Sequence, residues 1–261
     1  MLTILALVQL TVSAASDGAT RDPIVTDRPN VAESSVTVPA QSLQVETGTE
    51  FGSDEINDID STSFGIPTKI RYGLIDDLEI HVEGTIINRF SADLPEGSRS
   101  ETGLADFELG GKFHILDANG AVPSLGILAA VTIPVGDDDV STGPSVIRPT
   151  VAADWDLLPA LSFSGNVGFT IHIEDRDFVD DTFRFAGSLG IHPDVFPVGL
   201  GLFAELFGAV ALSGDSDEAI GADAGALYVV NDDFQLDAYV RFGLTDAATD
   251  LVAGGGGSFR F

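Results

Sequence analysis

Hydrophobic and polar side chains alternate along residues 234–244, near the end of the chain. One side of the pattern carries Phe234, Leu236, Ala238, Val240, Phe242 and Leu244, and the other carries Gln235, Asp237, Tyr239, Arg241 and Gly243. Because successive side chains of a β-strand point to opposite faces, this stretch predicts a strand with one apolar and one polar face. A tilted strand of about 9–11 residues with one apolar face has the length that a bilayer requires. The end of a soluble β-sandwich is the alternative interpretation of this stretch alone.

The same alternation recurs from residue 42 onward. It is clearest in 160–173, where Leu161, Phe163, Val167, Phe169, Ile171 and Ile173 oppose Ser162, Ser164, Asn166, Thr170 and His172. We predict an all-β fold of twelve antiparallel strands, an even number, as closed bacterial barrels have. The predicted strands are 42–52, 63–74, 77–88, 104–115, 123–134, 148–156, 160–173, 181–191, 198–211, 219–230, 233–244 and 250–261.

Short and long connections alternate between these strands. The turns at 75–76, 157–159 and 231–232 are tight, and those at 116–122 and 192–197 are somewhat longer. They alternate with long acidic connections at 53–62, 89–103 and 135–147 and with shorter ones at 174–180, 212–218 and 245–249, two of the turns matching these shorter connections in length. Short periplasmic turns and longer outer loops are typical of transmembrane β-barrels, and closure removes the strand edges that hydrocarbon does not tolerate. We therefore predict a transmembrane antiparallel β-barrel over residues 42–261, located in the cell outer membrane with its lipid as a partner.

Two segments precede the predicted barrel. Residues 1–15 are apolar and end in small side chains, which is the pattern of a secretory signal peptide. Residues 16–41 show no hydrophobic period and contain Pro23, Pro29 and Pro39, so we predict an irregular arm. The arm either hangs in the periplasm or folds into the lumen as a plug. In the second case Arg28 is the candidate for pairing with lumen carboxylates.

The charge balance excludes one class of partner. The chain has 41 acidic and 12 basic residues, and its net charge is −29. Affinity for nucleic acid comes from Lys and Arg side chains that neutralise phosphates, so we predict no nucleic-acid partner. This acid excess is typical either of a saline habitat, where salt screens the repulsion, or of an ordinary acidic surface. Cys is absent.

Several short motifs resemble those of one family, in order and in spacing. The segments are Thr26-Asp27-Arg28-Pro29-Asn30, Glu33-Ser34, Val38-Pro39, Gln44-Val45-Glu46-Thr47-Gly48, Arg71-Tyr72-Gly73-Leu74, Leu78-Glu79, Gly103-Leu104-Ala105-Asp106 with Lys112, Ile133-Pro134-Val135-Gly136, Gln235-Leu236-Asp237, and the closing Gly-rich strand with Arg260-Phe261. The chain resembles a family of outer-membrane β-barrel transporters linked to the meta-pathway of phenol degradation. The resemblance covers nearly all of the chain after residue 15. It implies an outer-membrane barrel that passes small, aromatic or hydrophobic, molecules, and it implies no catalytic set.

The polar face of the strands supplies the candidate lumen residues. These are Lys69, Arg71, Glu79, His81, Glu83, Asp106, Glu108, Lys112, His114, Arg148, Asp154, Arg184, Glu205, Asp223, Asp237 and Arg241. Opposite charges on paired strands stabilise one another, so a structural charge network is one interpretation. A lining that selects solutes is the other. Twelve strands lie between filled eight-stranded barrels and open sixteen-stranded porins, so a narrow or plugged lumen and a conducting one are both compatible with the sequence.

Motifs for chemistry are sparse. No nucleophile elbow, phosphate-binding loop or metal-ligand spacing is present, so we predict no enzyme activity, no cofactor and no metal. Two groups of residues point the other way. His172 near Glu174 and Asp175 is a candidate catalytic dyad, and the run Asp137–Asp139, or Asp215 with Asp217 and Glu218, is a candidate Ca²⁺ site.

The sequence as a whole predicts a barrel for passive passage or binding of a small solute through a charged lumen. A closed structural or surface-interaction barrel is the first alternative, and a soluble secreted binder is the second. Phe259 and Phe261, in the last strand, are predicted to be the signal that the barrel-assembly machinery reads.

Overall fold

The computed structural model describes residues 22–56, 59–137, 140–141, 145–173, 180–193, 196–213 and 217–261. The predicted signal peptide, residues 1–15, lies outside the described residues. The described residues form thirteen strands: β1 (Leu43–Ile56), β2 (Ile59–Ile75), β3 (Leu78–Leu94), β4 (Gly97–Gly103), β5 (Phe107–Leu116), β6 (Ser124–Ile133), β7 (Val146–Leu158), β8 (Leu161–His172), β9 (Thr182–Ile191), β10 (Leu200–Ala211), β11 (Ala219–Asn231), β12 (Phe234–Gly243) and β13 (Leu251–Arg260).

Twelve of these strands close into one antiparallel barrel. Sequential neighbours pair around the sheet, and β1 pairs with β13 from Gln44↔Arg260 to Ser53↔Leu251, which joins the two ends of the sheet. The remaining strand, β4, pairs with the upper part of β3, while β5 pairs with its lower part. β4 therefore extends the wall above β5 and adds no strand to the ring. The prediction of a twelve-stranded antiparallel barrel is confirmed.

The alternating pattern separates two environments. Glu79 and Lys112 are fully buried, whereas their neighbours Ile80 and Phe113 are 45% and 44% exposed. The polar face thus points to the interior and the apolar face points outward. Lipid around the barrel explains this reversal, because the hydrocarbon covers the apolar face from outside.

No helix in the described part of the chain is long and apolar enough to cross a membrane.

Two predicted outer loops are wrong in extent. β1 and β2 continue through most of 53–62, and the predicted loop 89–103 is a hairpin formed by the end of β3 and by β4. β4 and the extensions of β1 and β2 carry polar residues on both faces, whereas Phe90, Ala92 and Leu94 give the end of β3 one apolar face. Strands that leave the bilayer need no apolar face, so a search for alternation does not detect them.

The last strand forms one side of the closing seam. Phe259 lies on the outside and stacks on Phe234, with 4.4 Å between ring centroids. The backbone of Phe261 exchanges two hydrogen bonds with that of Leu43. Whether these aromatics are read during assembly stays a prediction.

Candidate functional site in the barrel lumen

Residues 22–41 cross the inside of the barrel, and we call this segment the plug. Hydrogen bonds and ion pairs join it to side chains that point inward from strands all around the ring. They include Glu46 on β1, Lys69 and Arg71 on β2, Glu79 on β3, Lys112 on β5, Ser124 on β6, Asp154 on β7, Asn166 on β8, Ser188 on β9, Glu205 on β10, Asp237 on β12 and Arg260 on β13. The segment fills the half of the lumen that lies at the tight turns.

Inward-pointing carboxylates bind the backbone of the plug. Glu46 accepts hydrogen bonds from the backbone N–H groups of Asp27 and Arg28, at 3.0 and 2.9 Å. Glu205 accepts those of Val31 and Ala32, both at 2.7 Å. An irregular segment offers its N–H groups no partner in a sheet, and a buried N–H without a partner is costly. The carboxylates of the wall therefore supply what secondary structure would otherwise provide.

Asp27 lies at the centre of a cluster of basic side chains. Its carboxylate is 2.8 Å from Lys112 Nζ, 2.9 Å from Lys69 Nζ and 3.5 Å from Arg71 Nη1. Burial by itself would raise the pKa of Asp27. The positive charges of Arg71, Lys112 and Lys69 outweigh it and hold this pKa well below its usual range.

Arg71 connects two carboxylates of the wall. Its Nε lies 2.8 Å from Glu79 Oε1, and its Nη1 lies 2.9 Å from Glu46 Oε1. Its Nη2 donates to the backbone oxygen of Val36 in the plug at 3.0 Å. All three side chains are fully buried, so each charge depends on its partners for stabilisation.

Arg28 enters a slot formed by two glycines. Its Nη2 lies 3.0 Å from Asp237 Oδ1, and a Cβ added to Gly48 or Gly256 would come within 2.5 or 2.8 Å of that nitrogen. Burial lowers the pKa of the Arg28 guanidinium, but its hydrogen bonds and charge attraction to Asp237 raise it above the ordinary value. The sequence nominated Arg28 to pair with a lumen carboxylate, and the structure places it against Asp237.

Ser35 is held on the opposite wall. Its hydroxyl lies 2.6 Å from both Ser124 Oγ and Asp154 Oδ2, and its backbone N–H donates to the same carboxylate. The His114 ring contacts the backbone oxygen of Ser35, at 3.1 Å. The plug backbone also passes close to Gly126 on β6, where an added Cβ would lie 2.7 Å from the Ser35 oxygen. The close approach of Ser35 therefore requires a glycine at this position.

The plug divides the lumen into compartments. On the outer side are a cavity of about 520 Å³, lined by Val31, Glu33 and strands β3 and β5–β11, and one of about 330 Å³. On the periplasmic side lies a cavity of about 810 Å³, lined by Ala32, Ser34 and Val36. Arg28 and Asn30 line both the 330 Å³ and the 810 Å³ cavities. A single thickness of plug chain therefore separates the two sides.

The remaining predicted lumen residues lie beyond the plug. Glu83 pairs with Lys69 at 3.1 Å, and Glu108 pairs with Arg148. Arg241 pairs with Asp223, and its guanidinium lies over the ring of Phe207 with 5.2 Å to the centroid. His81 is buried beside Glu79, with 3.8 Å from Nδ1 to Oε1. Arg184 lines the 520 Å³ cavity. Asp106 lies at the outer end and accepts from Ser141 at 2.6 Å.

Several residues of this network are not among the candidates that the alternating pattern predicts. Asp27, Glu46 and Ser35 were missing from the candidates, although Asp27 and Glu46 belong to the motifs that carry the family resemblance. The parity of β1 places Glu46 on the same face as Gln44, so alternation could have found it. Alternation could not have found Asp27 and Ser35, because the plug has no period.

The structure describes only part of the candidate catalytic dyad and of the candidate Ca²⁺ sites. His172 contacts Asp181, with 3.3 Å from Nδ1 to Oδ1, while Glu174 and Asp175 lie outside the described residues. Asp138, Asp139, Asp215 and Ser216 also lie outside them. Within the described ranges, no three His, Asp or Glu side chains are grouped closely enough to hold a metal ion.

One family model matches residues 26–261, and its description is "Putative MetA-pathway of phenol degradation". The chain belongs to this family. No curated protein gives a match to the chain. The match begins within the plug, so the family pattern includes both the plug and the barrel.

Solved structures with the same fold are membrane barrels. An outer membrane channel from Pseudomonas putida F1 has a TM-score of 0.70 and 14% identity, covering 87% of this chain and 97% of that chain. The NanC porin has a TM-score of 0.57 and 12% identity, with 83% and 98% covered. The transport unit of the autotransporter AIDA-I from Escherichia coli has a TM-score of 0.55 and 8% identity, covering 84% of this chain and 90% of that chain. This family member is an outer-membrane β-barrel of the porin-like type.

Proposed function

We propose that this barrel is a channel for small solutes and that the plug is its gate. Solutes enter the outer cavities and reach the periplasmic cavity when residues 28–35 leave their seat. The observation that carries the proposal is the position of Arg28 and Asn30, which line cavities on both sides of the same strip of chain. The barrel wall itself leaves the lumen open on either side of that strip.

The chemistry of the seat supports movement. The plug is held by hydrogen bonds and ion pairs, and water can replace such contacts during opening at a modest net cost for each. Within residues 28–35, the apolar side chains are those of Pro29, Val31 and Ala32. The family and the fold of the neighbouring structures agree with a channel, and the Pseudomonas putida neighbour is itself named as an outer membrane channel.

A reversible lock on the plug tests the gate. Ser35 Oγ and Ser124 Oγ are 2.6 Å apart, and the chain has no Cys, so Ser35→Cys with Ser124→Cys offers one disulfide between plug and wall. Single-channel conductance of the refolded protein in a planar bilayer is measured with the pair oxidised and then reduced. We expect current only after reduction.

The matched control uses a second serine pair. Ser91 Oγ and Ser100 Oγ are 3.0 Å apart on the outer hairpin of β3 and β4, away from the plug. Ser91→Cys with Ser100→Cys should conduct equally in both redox states. Equal current from the oxidised and reduced plug pair would contradict the gate. An absence of current from every form, including the unmodified protein, would favour the closed structural barrel.

A further inference from the structure

Three neighbouring strands present a cluster of cationic and hydroxyl groups to the outer half of the lumen. Arg148 and Thr150 lie on β7, Thr170 on β8, and Thr182 and Arg184 on β9, and we call these five residues the arginine–threonine patch. Thr170 is opposite Thr182 in the ladder. All five line the 520 Å³ cavity.

Arg184 differs from the other inward-facing basic side chains. Its partners across the ladder are Gly168 and Ala209, neither of which carries a polar side chain. No carboxylate of the described residues lies within ion-pair distance of Arg184. By contrast, ion pairs engage Arg28, Lys69, Arg71, Lys112, Arg148, Arg241 and Arg260. Among the described residues, Arg184 thus presents its guanidinium to the open cavity without an internal carboxylate, and an anion that enters the cavity can supply one.

The acidic groups of the same cavity are already engaged. Glu33 and Glu83 pair with Lys69, at 2.9 and 3.1 Å, and Glu108 pairs with Arg148. The hydroxyls of Thr150, Thr170 and Thr182 make no hydrogen bond to the described part of the protein. The patch therefore offers one unpaired guanidinium, a second that is shared with Glu108, and three available hydroxyls.

Apart from His81 and Asn166, the remaining residues that line the cavity are apolar or glycine. Leu128 on β6, Phe207 on β10 and Val31 of the plug line its other sides. A cavity of about 520 Å³ lies within the range of sites for small organic ligands. Its size and its apolar walls fit a hydrocarbon group, while its polar side fits an anion.

We infer that the arginine–threonine patch binds the carboxylate of a small organic anion, with its hydrocarbon part against Leu128 and Phe207. The planar fork of Arg184 matches the two oxygens of a carboxylate, and the threonine hydroxyls donate to the same oxygens. This inference rests on the proposed channel function and names the class of solute that the outer cavity takes. Val31 and Glu33 form the floor of that cavity, so the anion would bind directly above the gate.

Equilibrium dialysis of radiolabelled benzoate tests the site on the refolded full-length protein in detergent, with protein-free micelles subtracted. Arg184→Gln removes the charge. Ala209→Asp places a carboxylate directly across the ladder from Arg184 and supplies an internal partner. We expect either change to weaken benzoate binding about tenfold to a hundredfold. Arg89→Gln, on the exposed outer hairpin, is the matched control and should bind like the unmodified protein.

Heat-modified mobility on gels verifies that each variant forms the barrel. Unchanged benzoate binding by folded Arg184→Gln would overturn the inference. Equal retention of benzyl alcohol, the neutral counterpart, would reduce the site to an apolar cavity. Displacement of benzoate by an equal concentration of inorganic phosphate would overturn the assignment to a carboxylate. Dialysis needs no current, so a barrel that binds benzoate without conducting would refute the channel and leave this site standing.

Discussion

Asp27 shows how one residue of the plug organises the lumen. Three basic side chains converge on its carboxylate, and the same charges hold its pKa well below the ordinary value. Removal of that single negative charge would leave Lys69, Lys112 and Arg71 with fewer partners in a buried site. Removing one partner of a buried ion pair is strongly destabilising, because it leaves the other charge buried without compensation.

We therefore expect Asp27→Asn to lower the free energy of unfolding by about 3 kcal/mol at neutral pH. A group whose pKa is lowered in the folded state contributes stability above its ordinary pKa of about 3.9, and loses it as pH falls through the folded value. The difference between the two proteins should stay constant from about pH 5 to pH 7 and shrink below about pH 4. Urea unfolding across this range measures it.

Asp93→Asn, on the exposed outer hairpin, serves as the control for this series, since Asp93 contacts Ser98 there and lies far from the lumen charges. It should change the unfolding free energy little at any pH. An Asp27→Asn effect of the same size at pH 3 as at pH 7 would show that the carboxylate acts by shape and hydrogen bonding, without its charge.

Sequence reasoning reached these residues unequally. The alternation along β2, β3 and β5 predicts that Arg71, Glu79 and Lys112 point inward, because alternate side chains of each strand face the lipid and the lumen. The same reasoning cannot identify Asp27, which lies in a segment without a period. Its three basic partners are 42 to 85 positions away in the chain, and Lys112 is the most distant of them. Only the closed barrel brings them together.

At the scale of elements, the plug depends on wall carboxylates for its backbone. Glu205 binds two successive N–H groups, those of Val31 and Ala32. Loss of that acceptor leaves two buried donors unsatisfied in the seated plug. The unseated plug exposes both donors to water, so the change favours unseating.

We expect Glu205→Ala to raise the rate at which a thiol at position 35 is alkylated, by about tenfold. Ser35 is fully buried in the seated plug, so Ser35→Cys reacts only when the segment leaves the wall. Glu101→Ala on the outer hairpin, in the same Ser35→Cys background, is the control. An equal alkylation rate in both would show that the contacts of Ala32 and Val31 do not limit unseating.

The elements themselves were predictable wherever lipid imposes a pattern. All twelve strands of the ring were expected near their observed positions, since each needs an apolar outer face across the bilayer. The upper parts of β1, β2 and β3, and all of β4, escaped prediction. β4 and the upper parts of β1 and β2 have polar residues on both faces, so a sequence such as Ser98–Gly103 is as compatible with a loop as with a strand.

At the scale of the whole molecule, the seam between β1 and β13 decides whether a barrel exists. A sheet in hydrocarbon must close on itself, so a fault at one position of the seam affects every strand. Gly256 lies in that seam opposite Gly48, and a Cβ there would meet the backbone oxygen of Thr47 at 2.3 Å and Arg28 Nη2 at 2.8 Å. A side chain at position 256 would therefore clash both with the barrel wall and with the plug.

Gly256→Ala should consequently lower the unfolding free energy by about 1–3 kcal/mol, the usual cost of overpacking, and should loosen the Arg28 contact. Gly257→Ala is a close control, because its added Cβ would face outward and meet Gln235, Phe234 and Leu236 only at ordinary contact distances of 3.4 to 3.5 Å. Urea unfolding, followed by the fluorescence of the single Trp155, compares the two. Equal stability of both variants would mean that the seam can accommodate an extra methyl group. Barrel closure would then not require the slot that Gly48 and Gly256 form for Arg28. A loss confined to Gly256→Ala would mean that closing the barrel and seating the plug share one position of the chain.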